Sequence, residues 1–539
     1  MKFNNRFRLL TLCSVVTPIL MACQTNNLNQ NHQNTAIIQT DLGQIQGIVK
    51  DQTDQYLGIP YAQAPVGENR FRSPQAPTAW QGVKKTIKQG HTCVASVSVN
   101  PDASEDCLYL NVYVPKNTDQ EAKPKAVIFW IHGGAYVVGS TRDNDPAQLA
   151  QKQNVIVVST SYRLGALGFF AHPELKGTSG EGAFGIQDQQ AALKWVKRNV
   201  AQFGGDPNNI TLMGESAGSG SVCTHLVMPS SKGLFKRVIM ESGSCVGIGW
   251  STPQQKAEQG GLVFAKNLGC SGTDDLSCLR KKTAKQIMQA KPNRSGITGK
   301  EGWSPMVGGD LLPISPLQAF KSGQTAQVPM LVGTNANEGD LFAMLFSFNT
   351  KGMTTVKNLQ KGVSDMLDSP ELAEKAMTLY QPIIAKEGTK RAFSQIFTDS
   401  VFVCPTTAML DLYQKQASPI YQYQFEDPDA PFRSKLLKKI YGLRSYHAGE
   451  LHYVFASPNV LTRGQHLNAQ QQKLSDQMQQ YWGNFAKTGN PNSDGLPNWQ
   501  SYPNHQPFNL SISGLKPVTD FKDKHHCDFW NNAVMAATP

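Results

Sequence analysis

The passage from residue 210 to residue 218 narrows the possible folds more than any other. Ile210-Thr211-Leu212-Met213 is apolar and β-branched, the composition of a buried strand. It runs directly into Gly214-Glu215-Ser216-Ala217-Gly218 and then into a longer stretch without turn signals. A strand, a sharp turn and a helix form the context that a G-x-S-x-G pattern requires. Glycines at both ends let strand and helix approach closely, and the serine between them takes a strained conformation with its oxygen clear of the backbone. Ser216 is therefore the candidate nucleophile. Five residues alone occur by chance in long chains, so the weight of this reading depends on the rest of the sequence.

A second passage supplies that weight. Ala126-Val127-Ile128-Phe129-Trp130-Ile131 reads as a strand buried on both faces, and it opens into His132-Gly133-Gly134-Ala135-Tyr136. Two adjacent glycines at a strand end leave backbone N–H groups uncovered, which is how an oxyanion hole is built. Gly133 and Gly134, together with the N–H of Ala217, are the candidate donors. His132 is expected to hydrogen-bond within that loop rather than to catalyse.

Composition sets looser bounds. A chain of 539 residues, 40% hydrophobic and 17% charged, is long enough to bury a large core. No linker, charge block or repeat appears after residue 40, so residues 40–539 are expected to form one domain with insertions. The formal net charge of +11 raises the question of nucleic acid. The 51 basic residues are scattered rather than striped and no nucleic-acid motif appears, so that partner is not expected.

The N-terminus is more specific. Lys2, Arg6 and Arg8 precede an apolar run, Leu9 to Ala22, that is too short to span a bilayer but suits the core of a signal peptide, assigned to residues 1–22. Leu20-Met21-Ala22-Cys23 resembles the bacterial lipoprotein signal, which implies lipidation at Cys23; the alternative is ordinary cleavage near Ala22 that releases a soluble protein. Residues 23–39, rich in Asn and Gln, read as a disordered tether. Gln24 after the cysteine resembles the pattern that directs such proteins to an outer membrane, so the protein is expected to be exported and anchored there. Of ten cysteines, eight would remain in that oxidising compartment. Short spacings suggest Cys93 with Cys107 and Cys270 with Cys278; spacing alone leaves the pairing of Cys404, Cys527, Cys223 and Cys245 open.

Ordered matches along nearly the whole mature chain resemble the type-B carboxylesterase and cholinesterase-like branch of the α/β-hydrolase family. They include Tyr56-Leu57-Gly58-Ile59-Pro60-Tyr61-Ala62, Glu105-Asp106-Cys107-Leu108-Tyr109-Leu110-Asn111-Val112, and Tyr162-Arg163-Leu164-Gly165-Ala166-Leu167-Gly168-Phe169. Phe203-Gly204-Gly205-Asp206-Pro207 stands before the turn at Ser216, and Phe485-Ala486-Lys487-Thr488-Gly489-Asn490-Pro491 lies near the end. The resemblance implies an α/β-hydrolase fold, with a central mostly parallel sheet flanked by helices and large insertions forming the pocket mouth. It also implies a Ser–acid–His triad. Gly333-Thr334-Asn335-Ala336-Asn337-Glu338-Gly339 matches the family's acid motif and gives Glu338, with Asp340 as the alternative carboxylate. Tyr446-His447-Ala448-Gly449-Glu450-Leu451 matches its histidine loop and gives His447, with His452 as the decoy.

Further implications concern supporting residues. Ser242 matches a serine that hydrogen-bonds the acidic member in the family, the alternative being a strand-end serine bonded to its own backbone. The likeness implies bridges Cys93–Cys107, Cys270–Cys278 and Cys404–Cys527; Cys223 and Cys245 have no counterparts and are either bridged or two buried thiols. Ala183 and Gly308 stand where the family often has asparagine and aspartate, which bears on local loop geometry. No metal or organic cofactor is called for. The expected partner is a small or medium carboxylic ester; oligomeric state is not read from one chain. The loop from Val94 to Asp106 lacks any aromatic ring for a quaternary ammonium, so a choline ester is not expected. Arg433, Lys435, Lys438, Lys439 and Arg444 alternate with Leu436, Leu437, Ile440, Tyr441 and Leu443, a pattern that could meet lipid aggregates in a lipase or simply form a solvated helix face. A non-catalytic binding module on this fold would usually lack a triad residue, and none is missing here.

Overall fold

A computed structural model describes residues 33–95, 101–116, 123–247, 249–272, 274–290, 303–349, 354–416, 418–502 and 506–537. The signal peptide and lipidation assignments, at residues 1–22 and Cys23, lie outside the described residues. The tether assigned to 23–39 does not extend that far. Asn34–Thr40 is strand β1, antiparallel to β2 (Gly43–Lys50), with Ile37 opposite Gln46 and Ile38 opposite Ile45. This is an edge strand held by its backbone ladder more than by burial, since Ile37 is exposed and only Thr35 and Thr40 are buried. Thr35 Oγ1 accepts from the Gly47 N–H at 2.9 Å, a bond that hydropathy does not announce.

Strands β3 (Thr53–Pro60) and β4 (Tyr109–Pro115) continue the antiparallel side of the sheet. Beyond them the strands are parallel: β5 (Lys125–Ile131), β6 (Ile156–Thr160), β7 (Gly205–Glu215), β8 (Arg237–Glu241), β9 (Met330–Asn335), β10 (Ile420–Glu426) and β11 (Phe508–Ser511). Their spatial order is β1-β2-β3-β4-β6-β5-β7-β8-β9-β10-β11, so the chain reverses direction across the sheet between β6 and β7. The result is the mostly parallel, helix-flanked α/β architecture that the resemblance implies.

Alternation along the strands divides the core. Val127, Phe129, Ile131, Leu212 and Met240 face one side, packing with Leu193 and Val196 of helix α1 (Phe184–Asn199) and Val222 of helix α2 (Ala217–Val227). Ile128, Trp130, Met213 and Ile239 face the other, against Met478, Trp482 and Phe485 of a long helix near the C-terminus (Ala469–Thr488). Parallel strands covered on both faces read as unbroken apolar runs, which is why β5 is buried from Ala126 to Ile131. Helix α3 (Gly339–Asn349), a helix at Thr389–Phe397 and a π-helical segment at Thr398–Val403 belong to a third apolar cluster beside the sheet's C-terminal edge. Helix α4 (Lys435–Tyr441) lies against α3.

Strand register decides where function can sit. Ile131 lies opposite Gly214, Glu215 opposite Glu241, and Glu241 opposite Gly333. The loops after β5, β7, β8 and β9 therefore leave the sheet side by side at its carboxyl edge, the usual place for a ligand in an open α/β sheet. Cys93–Cys107, Cys270–Cys278 and Cys404–Cys527 are disulfides, and Cys223–Cys245 is a fourth, tying the interior of α2 to the loop after β8.

Candidate active site

Ser216 stands between β7 and α2 with φ 56° and ψ −122°, a conformation that an L residue holds only when its surroundings fix it. Its neighbours show what fixes it. A Cβ on Gly214 would stand 2.5 Å from the carbonyl of Gly218, and one on Gly218 would stand 2.1 Å from the carbonyl oxygen of Ile131. Both glycines are thus demanded by close approach of helix to strand. The Ser216 N–H donates to Glu241 O at 2.9 Å and the Ser216 carbonyl accepts from Gly220 N at 2.9 Å, which pins the turn from both sides.

The loop after β5 lies against this turn. A Cβ on Gly133 would meet Glu215 Oε2 at 2.6 Å and the Ser216 Cβ at 3.0 Å; one on Gly134, where φ is 105°, would meet Val138 O at 2.2 Å. Among the described residues, the N–H groups of Gly133, Gly134 and Ala217 donate to no protein atom. That of Ala217 is one of the free donors every helix start leaves. His132 stacks on Tyr162 with ring centroids 4.4 Å apart, and its carbonyl accepts from the Tyr162 hydroxyl at 2.9 Å. Burial pushes its imidazole below the ordinary histidine range, consistent with a structural part of the loop.

Glu338 and His447, 109 residues apart in sequence, meet: His447 Nδ1 lies 2.7 Å from Glu338 Oε2. The other Glu338 oxygen accepts from the Asn335 N–H at 2.7 Å, so the carboxylate is clamped by its own loop. On the far side of the ring, His447 Nε2 lies 3.1 Å from Oε1 of Glu215, the residue immediately before Ser216. The imidazole thus spans from the loop after β9 to the turn after β7. The two alternatives are occupied elsewhere. Asp340 is bound by Arg391 at 2.6 Å, Ser394 Oγ at 2.6 Å and Arg444 at 3.2 Å. His452 is buried away from these groups, and burial pushes its imidazole down to about 4.

Ser242 does not do what the likeness implies. Its N–H donates to Gly333 O at 2.8 Å, and its buried hydroxyl makes no hydrogen bond among the described residues. The acidic member it was expected to support is held by the Asn335 amide instead, and a φ of 51° turns Ser242 sharply out of the strand direction.

Several residues of this site escaped the sequence reading. Glu215, Glu241 and Glu450 gather around the candidate triad, all buried. Glu241 accepts from Trp482 Nε1 at 2.9 Å, and Glu450 accepts from Asn335 Nδ2. Burial, with the charge of Glu338 added, pushes the Glu215 carboxyl well above the usual range; burial and the Glu450 charge do the same to Glu241, and burial lifts Glu450 to about 8. Phe342 and Phe402 lie 5.1 and 4.7 Å from the His447 ring and shield it. Glu215 was visible as the second residue of the serine motif, and Glu450 within the histidine loop, but nothing in their spacing announces that they converge.

Among the described residues one group has the donor types of a metal site: His172, Glu174 and Asp275. Its atoms already serve one another. Glu174 accepts from the amides of Asp275 and Leu276 at 2.8 and 3.2 Å, and His172 Nδ1 accepts from the Glu174 N–H at 3.3 Å.

Comparison with known proteins gives the family. The profile of the carboxylesterase family matches residues 34–530. The chain is 34% identical to the acylcarnitine hydrolase of Mus musculus over 493 residues, which is 85% of this chain and 84% of that protein. It is 33% identical to the para-nitrobenzyl esterase of Bacillus subtilis, covering 86% of this chain and 92% of that one. It is 32% identical to the cocaine esterase of Homo sapiens, covering 89% and 87%. With a mostly parallel sheet, a strained serine at its carboxyl edge and these relatives, the chain belongs to the carboxylesterase family of α/β-hydrolases and is a hydrolase of carboxylic esters.

Proposed function

We propose that Ser216, His447 and Glu338 are the catalytic triad of this esterase and that Gly133, Gly134 and Ala217 form its oxyanion hole. The observation that carries the assignment is the position of His447, with Nδ1 at 2.7 Å from Glu338 and Nε2 beside the residue that precedes Ser216. A serine hydroxyl is a poor nucleophile at neutral pH, so His447 Nε2 takes its proton as the oxygen attacks the ester carbonyl. Glu338 holds the ring in the tautomer that leaves Nε2 free to accept and stabilises the imidazolium that forms. The three amides receive the developing oxyanion. His447 returns the proton to the departing alcohol, and water repeats the cycle on the acyl-enzyme to release the acid.

The substrate in this reading is a small or medium carboxylic ester. The relatives are named for acylcarnitine, para-nitrobenzyl and cocaine, and so favour no single acyl or alcohol group. We also propose export through residues 1–22, lipidation at Cys23 and attachment to an outer membrane, which the sequence of that segment supports. Initial rates over aryl, alkyl and glycerol esters of rising chain length, with Ser216→Ala as control, test the catalytic assignment. Turnover that persists in the Ser216→Ala protein defeats it. A steep rate increase only above the solubility limit of the ester favours the lipase alternative.

A further inference from the structure

Helix α4 presents a surface that the catalytic reading leaves unused. The alternating pattern from Arg433 to Arg444 does not fold as one amphipathic helix. Leu437 and Tyr441 pack partly against the core, Leu443 is buried, Lys438 Nζ donates to Ala430 O at 2.9 Å, and Arg444 turns to Asp340. What remains outside is Lys435, Leu436, Lys439 and Ile440, a spacing that puts two cations and two aliphatic side chains on one stripe. Leu436 and Ile440, 67% and 55% exposed, are the most exposed large aliphatic residues among those described. Leu345 on the adjoining α3 is also exposed.

The charges left without a partner along the stripe are positive. Among the described residues Arg433, Lys435 and Lys439 have no ion-pair partner, and Lys390 Nζ sits 5.3 Å from the Tyr441 ring centroid. The nearby carboxylates are taken, Asp429 by Lys438 at 3.9 Å and Glu387 by Arg391 at 3.7 Å. An aliphatic ridge rimmed by free cations complements the headgroup and acyl boundary of an anionic bilayer. A seven-residue helix is about 10 Å long, too short to bury the area that a stable protein dimer needs.

We propose that this face of α4, with Leu345, docks on a bilayer containing anionic phospholipid. The consequence for catalysis rests on the triad assignment: α3 begins one residue after Glu338 and the loop after α4 leads to His447, so docking would set the lipid surface against the elements that carry these two buried residues. The test uses the full chain with Cys23→Ser, so that no lipid anchor contributes, sedimented with vesicles of phosphatidylglycerol and phosphatidylcholine or of phosphatidylcholine alone. We expect binding to the anionic vesicles only, weakened by salt. Lys435→Gln with Lys439→Gln should weaken it about fivefold per lysine, and Leu436→Ser with Ile440→Ser about tenfold each. Both double variants should keep the wild-type kcat/KM on a dissolved short-chain ester. Vesicle binding that is absent, or unchanged in both double variants, overturns the proposal. Self-association that Leu436→Ser abolishes also overturns it, in favour of a second copy as the occupant. Loss of soluble-ester turnover in Ser216→Ala with vesicle binding retained separates the docking question from the catalytic one.

Discussion

Replacing Gly133 by alanine tests the oxyanion assignment at the point where the structure gives it a definite cost. The new methyl carbon would stand 2.7 Å from the Glu215 carbonyl oxygen and 3.0 Å from the Ser216 Cβ. Neither neighbour can turn away: the first is backbone of the turn, and the second belongs to a residue held at φ 56° by bonds on both sides. The loop must therefore move, carrying with it the Gly133 and Gly134 amides. Loss of one such donor costs on the order of 10²–10³ in kcat, or about 2.7–4 kcal/mol in the barrier. Overpacking should also destabilise the fold by about 1–3 kcal/mol. The assay is kcat on a dissolved aryl ester, measured well below the melting temperature, with a circular dichroism spectrum to show that the variant is folded. A folded Gly133→Ala protein whose kcat lies within about threefold of wild type would exclude the Gly133 and Gly134 amides as oxyanion donors.

Three further outcomes are expected. Glu338→Gln should lower kcat on the order of 10⁴-fold by leaving the imidazole in the wrong tautomer, whereas Asp340→Asn, at a residue bound by Arg391 and Arg444, should act mainly on thermal stability; comparable kcat losses in both would undo the choice between them. Replacing Cys223 and Cys245 together by alanine opens a loop of sequence separation 22 and should cost about 3 kcal/mol in a denaturant titration; an unchanged midpoint would show that this bridge constrains little. Glu450 carries the third. Its carboxyl, lifted from 4.5 to about 8, keeps its proton in the folded state over a range where the unfolded chain has released it. Stability therefore falls as pH rises through that range, and Glu450→Gln should flatten the decline in melting temperature between those values.

How much of this could be read from the sequence depended on how local the physical demand was. Ser216, Gly133 and Gly134 were legible because a strained turn and an uncovered strand end each dictate residue types over a few consecutive positions. The parallel strands were legible in β5 and β7 because burial on both faces writes an unbroken apolar run. Glu338 and His447 came from the family likeness, since a single carboxylate or imidazole in a loop carries no periodic signal. Strand β1 went unread because its contribution is backbone pairing at an edge, with threonines rather than aliphatic residues turned inward. The carboxyl cluster of Glu215, Glu241 and Glu450 went unread for another reason. Strand register sets Glu215 beside Glu241, and Asn335 draws Glu450 toward them, so the grouping exists only in three dimensions. Ser242 shows the reverse case: the family likeness gave it a bond that its backbone here directs elsewhere.

The central assignment is that the Ser216 oxygen, activated by His447, becomes covalently acylated. Peptide mapping by mass spectrometry after reaction with an aryl phosphonate tests it most directly. A single adduct is expected on the peptide that contains Ser216, absent in Ser216→Ala and formed far more slowly in His447→Ala. An adduct at any other residue, or labelling of Ser216 at an unchanged rate without the imidazole, would contradict it.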